Sequence, residues 1–198
     1  MLNKKCYFKV AMFLTFGSLK STDILLEFKG AYFLATNSIF RKIYDNGGAL
    51  YGPEITFKIF RNIYGFASVD FLQKSGKSIG LFSPTKVGLI PLGIGFKYFV
   101  PFCYGDFYVG LGFQPTYLHT KDCSSYVIAK RSKWGFGGIV KIGTYFNLPH
   151  NFLVDVFIDY SPVKVPFHNN QAPTGHVVPR KADISGNIFG IGIGHHFN

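Results

Sequence analysis

The stretch Ile184 to Asn198 reads ISGNIFGIGIGHHFN. Phe189, Ile191, Ile193, His195 and Phe197 form one mostly apolar row, while Gly190, Gly192, Gly194 and His196 form a row with almost no side chain. A repeat of two is the signature of a β-strand, whose successive side chains point to opposite faces. The rest of the chain has to supply partners for a strand of this kind.

Composition narrows what those partners are. With 198 residues the chain accommodates one domain with a real core. Aromatics reach 18%, Gly and Phe each occur 23 times, and charged residues make up only 16%. A soluble domain usually carries about 25% charge, so a water-facing surface is underprovided here. No stretch approaches the ~20 uninterrupted apolar residues of a spanning helix. A membrane barrel, apolar on one face of each strand only, satisfies both observations. The net charge of +11 is diffuse, and no Lys/Arg run or groove-reading motif accompanies it, so nucleic acid is not expected as a partner.

The N-terminus places a basic segment (Lys4, Lys5, Lys9) before the apolar run Val10 to Phe16 and the small residues Gly17 and Ser18. That order predicts a signal peptide over residues 1–21, with 22–198 as the single barrel domain; a first strand or an interfacial anchor is the alternative. Cys6 precedes the apolar run and is not placed for acylation.

From Ile24 onward, eight segments alternate bulky apolar residues with small, polar or charged ones: 24–35, 50–60, 63–73, 85–99, 106–118, 133–146, 152–160 and the closing stretch. In the fifth, Phe107, Val109, Leu111 and Phe113 oppose Tyr108, Gly110, Gly112 and Gln114. Pro91 in the fourth cannot donate to a ladder, which predicts a bulge or local break beside it. Segments two and three, four and five, and six and seven are joined by short turns; the other connections are longer, 163–183 being the longest.

An even strand count, short turns at one end and long loops at the other resembles the small eight-stranded Gram-negative outer-membrane barrels: the transmembrane domain of OmpA and the OmpX and OmpW types. The closing strand also resembles theirs, in which a terminal Phe is part of the sorting signal; here Phe197 holds that place, followed by Asn198. The resemblance implies an all-β, eight-stranded, antiparallel up-and-down transmembrane barrel in the cell outer membrane. It further implies contact with outer-membrane lipid and lipopolysaccharide, and with the barrel-assembly machinery through the closing strand.

The face opposite the bulky one is rich in Gly and carries one or two charges per strand, which suits the lumen of a narrow barrel. Its expected charge network is Glu27, Glu54, Asp70, Asp155 and Asp159 with Lys29, Lys58, Lys97 and Lys141. The signs are nearly balanced, as burial requires, since an unpaired charge away from water costs several kcal/mol. Lys141 is expected to pair with Asp155 or Asp159 across the sixth and seventh segments. The lumen is then filled rather than open.

Little points to catalysis, a cofactor or a metal. Gly190-x-Gly192-x-Gly194 lacks the spacing of a nucleotide loop, and His195 and His196 lie on opposite faces of a strand. His168 and His176 fall in the longest loop. His119, Asp122, Ser124 and Ser125 are the one set compatible with the lipid A-modifying barrels; a narrow path for small hydrophobic molecules, as in the OmpW type, is a further alternative. Cys103 and Cys123 lie at opposite ends of one strand, far beyond the ~7 Å limit for a disulfide, so they remain free or join other chains. Basic residues of the long connections, such as Arg41, Lys42, Lys74, Lys77, Lys121, Lys130, Arg131, Lys164, Arg180 and Lys181, face lipopolysaccharide phosphates or host polyanions, or else are ordinary solvated positions.

Overall fold

A computed structural model describes residues 23–77, 84–123, 128–166 and 181–197. The signal peptide expected over residues 1–21, together with Cys6, Ser124, Ser125, His168, His176, Arg180 and Asn198, lies outside the described residues. So do the side chains of Asp122, Cys123, Lys130 and Lys181.

The chain order is β1 (Ile24–Ala35), α1 (Ser38–Tyr44), β2 (Gly47–Phe60), β3 (Ile63–Val69), β4 (Phe71–Lys77), β5 (Pro84–Phe102), β6 (Gly105–Phe113) and β7 (Thr116–Cys123). It continues with β8 (Ile128–Asn147), a 3-10 turn (Pro149–Asn151), β9 (Phe152–Ser161), β10 (Val163–Pro166), β11 (Lys181–Asp183) and β12 (Gly186–Phe197). All pairings are antiparallel.

These pieces make eight crossings. β3 and β4 share one register against β2 and β5, as do β6 and β7 against β5 and β8. The same holds for β9 with β10, and for β11 with β12. Each interruption is therefore a missing rung and not a slip. Pro115 and Pro162 sit in two of them, where a ring nitrogen has no N–H to give.

The irregularity predicted near Pro91 is found beside it, on the flanking strands: β5 runs unbroken through Pro91, while its neighbours break opposite, between β3 and β4 and between β6 and β7. The Pro91 carbonyl accepts from Asp70 N–H at 3.0 Å, and Leu92 N–H donates to the Pro115 carbonyl at 2.8 Å. The wall stays continuous there.

The ring closes because β1 pairs with both β2 and β12. A path across the rungs runs from Ile24 to Phe57, Gly65, Phe96, Leu111, Val140, Tyr160 and Asn187, and returns to β1 at Leu34. A stagger from position 24 to 34 over eight strands tilts them by about 40° from the axis. At that tilt the barrel is narrow enough for side chains to fill.

Burial is inverted relative to a soluble protein. Phe96, Leu111, Ile191 and Ile193 are 60% or more exposed, whereas Lys97, Lys141, Glu54 and Asp155 are 2% or less. The first long connection holds a helix that the sequence pattern did not predict. Asn37 caps α1, its side-chain oxygen accepting from Ile39 N–H at 2.8 Å and Phe40 N–H at 3.3 Å. Phe40 and Tyr44, one turn apart, are buried over the long-loop end of the lumen, and Phe33 meets Phe40 edge-on at 6.2 Å.

Candidate functional site

The lumen is the most elaborate polar arrangement among the described residues, and it is layered. At the short-turn end Phe99 stacks on Tyr145 with centroids 5.5 Å apart, and Tyr108 lies 4.9 Å from Tyr145. Glycine makes the room: a Cβ at Gly143 would sit 2.5 Å from the Tyr108 hydroxyl.

Above this aromatic floor lies the charged layer. Lys29 reaches Glu27 at 3.3 Å, Glu54 at 3.0 Å and Asp155 at 3.5 Å. Lys97 pairs with Glu54 and, at 3.4 Å, with Glu27. Lys141 reaches Glu54 at 3.0 Å and Asp159 at 2.7 Å. Of the two expected partners of Lys141, Asp159 takes the contact, while Asp155 turns to Lys29 and to the Tyr108 hydroxyl, which donates to it at 2.9 Å. The Tyr145 hydroxyl accepts from Lys97 at 2.6 Å and donates to Glu27 at 2.9 Å. Ring faces receive the remaining cationic surface: Lys97 lies 4.4 Å from the Tyr108 centroid and Lys29 lies 4.7 Å from that of Phe157.

Lys58 is not in this layer. It stands at the open short-turn end, its side chain 41% exposed, and bonds Asp23 at 2.8 Å. β2 carries it past the last inward rung: Thr56 is fully buried, and every residue from Phe57 to Phe60 is exposed. Three lysines therefore face five carboxylates, since Asp70 is buried as well but has no ion pair among the described residues. The hydroxyls of Tyr108 and Tyr145 help offset that excess. Both tyrosines fall on the inward row of their strands, so the alternation that located the charges could have located them too.

The long-loop half of the lumen is apolar. Phe33, Leu50, Leu72, Leu89, Val163 and Ile188 close around a cavity of about 10 Å³, room for about one water. Gln114 and Ser161, hydrogen-bonded to each other, and Thr116 are its polar lining.

The remaining candidates are dispersed. His119 is exposed on the outer wall, with Nδ1 2.8 Å from Ser132 Oγ, and none of the acid or serine side chains proposed alongside it is described. His195 packs between Phe152 and Phe197 at 5.1 and 4.6 Å. Among the described residues no three His, Cys, Asp or Glu side chains gather as metal ligands. Cys103 is free and exposed in the turn between β5 and β6, whereas Cys123 ends β7 at the opposite end of the barrel. Phe197 is half exposed on the outer face beside the short-turn end. Arg41, Lys42, Lys77, Arg131 and Lys164 are exposed toward the long-loop end, while Lys74 is half-buried.

No family model matches the sequence, and neither does any curated protein. Solved structures do share the fold. The attachment invasion locus protein Ail of Yersinia pestis, in complex with the heparin analogue sucrose octasulfate, has a TM-score of 0.53 at 14% identity, covering 89% of this chain and 98% of its own. Neisserial surface protein A has a TM-score of 0.55 at 12% identity, covering 90% and 100%. The outer membrane protein AlkL, determined in lipid bilayers, has a TM-score of 0.54 at 15% identity, covering 90% and 92%. By fold the chain is a small outer-membrane β-barrel, and its exposed apolar belt is the surface a bilayer covers.

Proposed function

We propose that this protein is a closed, non-enzymatic outer-membrane barrel that presents its basic long-loop end to anionic partners. The lumen carries the proposal. Three lysines and four carboxylates tie β1, β2, β5, β8 and β9 together across it, beneath an apolar layer with room for about one water. A conducting path would have to part both layers. In planar bilayers the purified protein is expected to show no stable, large single-channel conductance; observing one would overturn the proposal.

The outward role rests on the exposed cations of the long-loop end, with lipopolysaccharide phosphates and host polyanions as the partner class. The complex of Ail with a heparin analogue supports that class for a barrel of this fold. The same proposal makes β12, with Phe197 half exposed at its end, the strand offered to the barrel-assembly machinery.

A further inference from the structure

Three cross-strand rows are stacked on the outer wall of β4, β5, β7 and β8, toward the long loops. The lowest is apolar: Ile90 faces Tyr117, which faces Trp134, their rings 5.2 Å apart. Tyr51 and Phe71 extend it to the side, with centroids 6.3 Å apart. The middle row runs Gln73, Gly88, His119, Ser132. The upper row runs Ser75, Lys86, Lys121.

The upper row is electrostatically unfavourable by itself. Lys86 and Lys121 are directly opposed on adjacent strands, an arrangement that destabilises a sheet when nothing lies between the charges. Among the described residues no carboxylate pairs with either. Below them the wall is bare: a Cβ at Gly88 would meet nothing nearer than 3.9 Å, and the space above it belongs to a groove of about 420 Å³. That volume lies within the range of small-ligand sites.

We propose that this groove holds the phosphorylated headgroup of an outer-leaflet lipid, the phosphate between Lys86 and Lys121 and the acyl chains over Tyr117 and Ile90. Charge complementarity and the vertical order select the occupant. Lysines above and apolar side chains below match a lipid, whose phosphate stands above its chains. A soluble polyanion would leave the apolar half unused. Aromatics at this height also mark the boundary of the bilayer. The site rests on the outer-membrane barrel proposed above.

The test uses full-length protein reconstituted into phosphatidylcholine nanodiscs doped with bisphosphorylated lipid A or with its dephosphorylated form, followed by washing and quantification of retained lipid. Wild type is expected to retain about one lipid A per barrel and none of the dephosphorylated form. Lys86→Glu with Lys121→Glu should lower retention by about tenfold or more, whereas Arg61→Glu, exposed in the β2–β3 turn at the opposite end of the barrel, should leave it unchanged. Free inorganic phosphate should fail to displace the lipid. Gly88→Leu fills the groove without altering charge and should also abolish retention, which decides the matter if the double variant does not assemble. Undiminished retention by Gly88→Leu, or equal retention of dephosphorylated lipid A by wild type, would overturn the site. Loss of heat-modifiable migration in wild type would instead indicate that the barrel proposal itself has failed.

Discussion

Lys97 shows how much of the lumen depends on single side chains. It is 1% exposed, pairs with Glu27 and Glu54, donates to Tyr145 and lies against Tyr108. Replacing it with Met keeps the volume but leaves two buried carboxylates with fewer cations, and breaking a buried pair from one side costs about 3 to 5 kcal/mol. Lys97→Met should therefore lower the stability of the refolded barrel by about that amount, read by urea titration of the fluorescence of Trp134, the single tryptophan. Glu54→Gln in the same chain should recover part of the loss, because a coupled pair is not additive. A loss below about 1 kcal/mol would mean that water reaches the charges.

Strand by strand, the period of two showed which row faces in and which faces out, because one face meets lipid and the other meets neighbouring side chains. Height along the strand is not in that signal. This is why Lys58, on the inward row of β2, could be placed in the lumen from sequence although the last turn carries it out to the rim. α1 was illegible for a different reason: seven residues give too few repeats for an amphipathic period to stand out. The break foreseen near Pro91 falls on the two strands that flank it, because which strand loses a partner depends on register, and register is set by the whole ring. The face assignment itself is testable on β12. Ile191 is 61% exposed at mid-strand, where an arginine on the lipid face costs about 2 to 4 kcal/mol. Its neighbours are graded: a Cβ at Gly190 would lie 2.6 Å from Ala31 and Phe157, whereas one at Gly192 would meet nothing nearer than 3.3 Å. Ile191→Arg should abolish the heat-modifiable folded band, Gly190→Ala should weaken it through overpacking, and Gly192→Ala should preserve it. Equal behaviour of Ile191→Arg and Gly192→Ala would reverse the faces.

For the molecule as a whole, the two ends of the barrel differ in kind. At one end Arg61-Asn62, Cys103-Tyr104 and the turn through Pro149 close adjacent strands tightly. At the other, α1 fills the first connection, β4, β5, β7 and β8 run on beyond the ring, and most of the exposed cations among the described residues gather there. Outer-membrane barrels keep short turns in the periplasm and long loops outside, so the chain's asymmetry predicts its orientation without reference to any ligand. Cys103 makes this measurable, because it is exposed and lies in a short turn. With Cys123→Ser, a charged, membrane-impermeant maleimide added to intact cells should leave Cys103 unmodified until the cells are lysed. With Cys103 and Cys123 both replaced by Ser, Lys164→Cys, exposed toward the long-loop end, should react in intact cells. The opposite labelling pattern would turn the barrel over in the membrane. It would also remove the basic end from any contact with the cell exterior.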